Sequence, residues 1–170
     1  MNTGHGTSPQ EIAIIDTVEP AGVQGLVINN CPFTIYVRQA VAEFPSSRPT
    51  EPCAHFGETT ERTIAPGETY NAPFLAAKDT CGHSLKMSRT PNAFEVYQLE
   101  YNWSLENDEL WYNLSSDTAA PFDDVARAVH TQAGDCAKFS CTPGELGPGV
   151  CDYPVLAACK NKEGIVAVLC

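Results

Sequence analysis

Read by hydropathy, the chain is a series of short segments of period two. Within "GLVINNCPFTIYVRQA" (residues 25–40), Phe33, Ile35 and Val37 fall on one face and Thr34, Tyr36 and Arg38 on the other, as in a strand with one buried side. "HSLKMSRT" sets Leu85 and Met87 against Lys86 and Ser88 in the same way. "FEVYQLEYNWSLENDELWYNLS" divides into two strands. Tyr97, Leu99, Tyr101 and Trp103 share one face of the first, and Leu110, Tyr112 and Leu114 one face of the second, with Glu106, Asn107 and Asp108 as the turn between them. "IVAVLC" ends the chain in a β-branched run. Pro66-Gly67 in "RTIAPGETY" predicts a tight hairpin, and Pro45, Pro49 and Pro52 make "FPSSRPTEPC" a surface loop. Only "PFDDVARAV" has helical spacing, with Val125 and Val129 four apart behind Asp123 and Asp124; it reads equally as a strand carrying Val125, Arg127 and Val129. Frequent turns and scarce helix patterns predict an all-β fold, an antiparallel sandwich or flattened barrel. Residues 1–24, with a short apolar patch at Ile12, Ile14 and Ile15, are expected to form a flexible or edge arm ahead of a domain spanning 25–170.

Composition sharpens this picture. A chain of 170 residues, 43% hydrophobic, supports one domain with a core of its own. Its eight cysteines are even in number and mostly far apart, which predicts a disulfide framework and an oxidising, extracellular compartment. Zinc is the rival use, since Cys53-Ala-His55 and Cys81-Gly-His83 repeat a Cys-x-His pair. The tighter spacings of a structural zinc site are missing, so no metal or cofactor is expected. Ten basic against 21 acidic side chains give a formal charge of −11, which repels phosphate backbones and anionic lipid alike. With no run near the roughly 18 apolar residues of a membrane helix, nucleic acid and membranes are not expected partners, and a monomer is expected. "MNTGHGTSPQEIAIID" does not read as a basic-then-apolar leader, so secretion implies one removed ahead of it. Asn102-Trp103-Ser104 and Asn113-Leu114-Ser115 fit the N-glycosylation pattern.

Four stretches carry a resemblance to a known family: "VINNCPFTIYV", "IAPGETY", "LEYN" followed by "ELWYNLSSDTAAPF", and the terminal "IVAVLC". Together they resemble the thaumatin-like proteins, and more closely their short fungal branch, the yeast-phase-specific protein family, over roughly residues 25–170. The resemblance implies a thaumatin-like β-sandwich stapled by four disulfides, Cys31 with Cys170, Cys53 with Cys81, Cys136 with Cys159 and Cys141 with Cys151. It also implies a shortened disulfide-rich second lobe.

The same resemblance directs attention to a cleft, where larger relatives bind or weakly cleave β-1,3-glucan. Cleaving a glycoside requires two positioned carboxyls, one of them kept protonated. Glu100 in "LEYN" matches a family cleft glutamate, and alternation puts it on the polar face of its strand. Asn113 stands where the family commonly has aspartate, and Leu110 where it has another acid; an amide is neither nucleophile nor general base. Trp111 and its neighbours Tyr97, Tyr101, Trp103 and Tyr112 offer aromatic faces for sugar stacking, or for the core. The expected function is therefore a secreted, non-enzymatic binding protein at a fungal cell wall or host interface, a carbohydrate binder or a virulence effector. Its expected partners are β-glucan or another wall polysaccharide, or a host extracellular protein. Two alternatives stand beside it: a weak β-1,3-glucan hydrolase using Glu100 and Asp117, and an inhibitor of a secreted hydrolase. The plainer use of Asp117 is as a turn residue. The four histidines are scattered, and no nucleophile elbow or phosphate-cradling loop is present in the sequence.

Overall fold

The computed structural model describes residues 21–160 and 162–170, and within them the chain is all strand and turn. In chain order the strands are β1 (Gln24–Asn29), β2 (Ile35–Val41), β3 (Gly57–Glu58), β4 (Arg62–Ile64), β5 (Thr69–Asn71), β6 (His83–Ser88), β7 (Tyr97–Trp103), β8 (Leu110–Ser115), β9 (Arg127–Thr131), β10 (Phe139–Cys141), β11 (Ala157–Cys159) and β12 (Gly164–Leu169). They form two packed sheets. One runs β10-β9-β12-β1-β5; the other runs β11-β8-β7-β6-β2-β3, with β4 also on β2. No helix among the described residues is long and apolar enough to cross a membrane.

Alternation builds the core. Ile35 and Val37 of β2, Leu85 and Met87 of β6, Leu99 of β7 and Leu114 of β8 point inward from the larger sheet, and all are fully buried. Val27, Val129, Ile165 and Ala167 face them from the smaller one. Stripes with one apolar face can leave water only by packing on each other, which gives two layers.

Most strand pairs are antiparallel, but the first and last named strands run parallel, from Gln24 opposite Gly164 to Asn29 opposite Leu169. Just past their ends, the Cys31–Cys170 disulfide closes a sequence separation of 139 residues. The other bonds join Cys53 to Cys81, Cys136 to Cys159 and Cys141 to Cys151, the same pairs that the resemblance implies. Because Cys53 and Cys81 are bonded to each other, neither offers a thiolate to zinc.

The Asn-Asn step before Cys31 has its own use. Asn29 is completely buried; its Nδ2 donates to the carbonyls of Phe33 and Ile64, each at 2.8 Å, while its Oδ1 accepts from the Cys31 N–H at 2.9 Å. One side chain thus holds the turn into β2 and the end of β4.

Two expectations change here. Pro66-Gly67 makes a tight turn, with the Glu68 N–H donating to the Ala65 carbonyl at 3.0 Å and Gly67 at φ 83°, but not a hairpin. Strand β4 pairs with β2 and β5 with β1, so the turn carries the chain from one sheet to the other. The cause is Asn29 again: its backbone accepts from the Gly67 N–H (2.7 Å) and donates to the Glu68 carbonyl (3.0 Å), capturing the outgoing chain onto β1. In "PFDDVARAV", residues 121–125 form turns, and the strand begins at Arg127 rather than Val125. Residues 1–20, most of the expected arm, lie outside the described residues; Val23 and Gln24 belong to the sandwich, with Val23 buried and exchanging hydrogen bonds with Ala76.

Candidate functional site

The outward face of the larger sheet carries a row of side chains set by register. Ala40 lies opposite Ser84, Ser84 opposite Glu100, and Glu100 opposite Asn113. Each belongs to the half of its strand that alternation turns away from the core. A groove of about 330 Å³ runs over this row, with Trp111 and Leu156 among its walls.

At its centre the Asn113 Nδ2 donates to Glu100 Oε2 at 2.8 Å and to the Leu114 carbonyl at 3.2 Å. Both amide hydrogens are therefore committed, and Asn113 is only 8% exposed. A glycan on that nitrogen would have to take one of them and would occupy the groove. Asn102, the other candidate, lines the groove half-buried. Among the described residues, Glu100 is the one carboxylate lining the groove. Asp117 is exposed, lies outside that lining, and donates its backbone N–H to Ser115 Oγ at 3.3 Å.

The aromatic residues divide. Tyr97, Trp103 and Tyr112 are buried in the core away from the groove, and Tyr101, which lies under the groove, is 2% exposed, so none of them offers an open sugar platform. Trp111, half-buried, reaches the groove. Beneath the row, His83 turns inward. Its Nδ1 lies 3.0 Å from Gln39 Nε2, and its ring centroid 5.5 Å from that of Tyr101. Burial pulls its pKa down to about 4, so its ring is neutral near pH 7.

Leu156 arrives from the disulfide-rich segment between β10 and β11. That segment is fastened by buried polar groups: Arg127, 2% exposed, donates to the carbonyls of Phe122 (2.8 Å), Val125 (3.1 Å) and Glu145 (2.9 Å). Asp152, 1% exposed, accepts from the Tyr97 hydroxyl. Burial, together with that carboxylate, pushes the Tyr97 phenol far above its ordinary range. Sequence reasoning missed Ser84 and Leu156 as groove residues. Ser84 was legible as an outward position of "HSLKMS"; Leu156 depends on where a remote loop lands.

A family model described as "Bys1: Blastomyces yeast-phase-specific protein" matches residues 12–170. An "Antigenic thaumatin-like protein" from Arthroderma benhamiae is 27% identical over 82 residues, 48% of this chain; the chain matches 41% of that relative's length. Among solved structures, the protein elicitor MoHrip2 from Magnaporthe oryzae superposes with a TM-score of 0.66 and 26% identity, covering 88% of this chain and 99% of that one. The thaumatin-like xylanase inhibitor TLXI matches with a TM-score of 0.54 over 86% of this chain and 98% of its own, at 13% identity, a likeness of fold.

Proposed function

Because the chain belongs to the Bys1 family of Blastomyces yeast-phase-specific proteins, we propose that it is an extracellular, non-enzymatic binding protein acting at a fungal cell wall, with the groove over Glu100 and Asn113 as its carbohydrate-binding face. One observation carries this reading: among the described residues the groove is lined by a single carboxylate, which accepts a hydrogen bond from an amide where a hydrolase needs a second acid. Ser84, Asn102, Asn113 and Glu100 supply donors and acceptors for sugar hydroxyls, and Trp111 and Leu156 supply apolar surface. The four disulfides support the extracellular assignment.

Retention on insoluble β-1,3-glucan tests it. The protein is expected to be retained, and Trp111→Ala to weaken retention by about tenfold, the loss of one stacked ring. Absence of retention sinks the wall-binding reading. A second reading, an effector that engages a host extracellular protein, is supported by the likeness to an elicitor across 88% of the chain. Capture of a host protein with no retention on glucan would favour it.

A further inference from the structure

Away from that groove, the two sheets end on one side of the molecule in open edges. Among the described residues, the edge of the smaller sheet is β5, paired with β1 on one side only. The Ala72 N–H donates to the Gly25 carbonyl at 2.9 Å and the Glu68 carbonyl accepts from Asn29 at 3.0 Å, while Tyr70 faces Val27 in the register. Residues 68, 70 and 72 therefore turn their backbone groups toward β1, and alternation turns those of Thr69 and Asn71 outward. In the larger sheet the edge is β3 and β4, which pair in succession along the side of β2 opposite β6.

Between these edges lies a cleft of about 590 Å³, the open flank of the sandwich. Phe56, 59% exposed, and Phe74 contribute aromatic surface, and the His55 ring stacks on Phe74 with centroids 4.2 Å apart. Among the described residues, two charged side chains, Glu58 and Arg62, line the cleft. Glu58 is already held by Arg38 at 2.9 Å and by Lys86. Arg62 is exposed and pairs with no carboxylate among the described residues. In a molecule of net charge −11, the described residues thus leave the Arg62 cation without a carboxylate partner in a cleft that Phe56 and Phe74 also line, beside outward-facing strand groups.

We propose that this flank is a docking edge for an extended peptide of a partner protein: the peptide pairs with Thr69 and Asn71 as an added strand, places an apolar side chain against Phe56 and Phe74, and sets a carboxylate against Arg62. The positive charge selects an acidic peptide over a neutral sugar. The ladder offered by β5 is only three residues long, so the aromatic walls and the ion pair carry much of the recognition. On a strand, alternate side chains share a face, so the motif is an aromatic residue and an acid two positions apart.

The test uses the full chain and a capped heptapeptide, Thr-Thr-Phe-Thr-Glu-Thr-Thr, followed by amide hydrogen exchange and titration calorimetry. Saturable binding with slowed exchange at Thr69 and Asn71 is expected, and replacing the peptide's Glu by Lys is expected to weaken it about tenfold. Arg62→Glu should reverse that preference. Phe56→Ala, at an exposed position, should abolish binding without altering the fold, and so should Thr69→Pro, which removes an outward N–H alone. No saturable binding, or binding unaffected by these substitutions, overturns the proposal. So does a concentration-dependent dimer lost in Thr69→Pro, which would assign the edge to a second copy, or protection of the same amides by a glucan oligosaccharide. Trp111→Ala, in the other groove, should leave peptide binding unchanged, which keeps this result separate from the test of glucan binding.

Discussion

The sandwich and the segment between β10 and β11 are held together by different forces. In the sandwich, alternating apolar residues from two sheets are buried to near zero exposure. In the segment that follows Cys141, Leu146 is 76% exposed, Val150 54%, Tyr153 51% and Leu156 44%. What fixes that lobe is the Cys141–Cys151 bond, the carbonyls gathered by Arg127, and the Asp152–Tyr97 hydrogen bond. Gly147 shows how tight the seam is: at φ 87°, a Cβ there would sit 2.1 Å from Asp152 Oδ2. Hydrophobic burial makes a stable floor, whereas covalent and polar fastening lets a short loop keep its apolar side chains outside, one of them, Leu156, at the groove.

The comparison is broken most severely at the sandwich. Replacing Cys31 and Cys170 together by Ser frees a closure of 139 residues, for which the chain-entropy model gives a loss of about 5 kcal/mol in denaturant titration. Replacing Cys141 and Cys151 together by Ser opens a separation of only 10 residues, about 3 kcal/mol on the same model. Hydrogen exchange should show that loss in the lobe, with amides of β6–β8 still protected. Equal loss of protection in both would show that the lobe is part of the sandwich's cooperative unit.

Acid provides a third probe, aimed at the sandwich. Burial holds the folded His83 pKa at about 4 against an ordinary 6.5, so between these pH values the unfolded chain binds more protons. The stability this group confers is full above about pH 6.5 and is lost as pH falls toward 4, by no more than about 3 kcal/mol. His83→Asn should flatten that limb of the stability-versus-pH curve; an unchanged limb would remove His83 as its cause. Glu58, held below the usual carboxylate range by the Lys86 hydrogen bond, acts in the same direction at lower pH. The smallest effect belongs to the lobe's surface: Leu146→Ser should change stability by less than about 0.5 kcal/mol.

Much of the sandwich was legible in the sequence because its strands obey a local rule. The alternation of residues 97–103 put Glu100 outward, the resemblance pointed to Asn113 on the next strand, and the structure pairs the two directly. The crossing at Pro66-Gly67 was not legible, since the same turn chemistry serves a hairpin or a change of sheet. The choice is made by Asn29, far away in the chain. The segment around Val125 and Val129 was ambiguous for the same reason: its strand is fixed by pairing with β12 and by Arg127 reaching buried carbonyls, neither of which is local. Of the groove, Glu100 and Asn113 were picked out by the family resemblance and Glu100's outward side by alternation, whereas Leu156 depended on where the lobe folds back.

The central claim is that this groove binds without cleaving, since one carboxylate paired with an amide cannot perform both acid and nucleophile steps. The most direct measurement is release of reducing ends from soluble β-1,3-glucan by the purified chain and by Glu100→Gln across the acidic pH range. No release by either protein is the expected result. Sugar release by the wild-type chain that Glu100→Gln abolishes would contradict it.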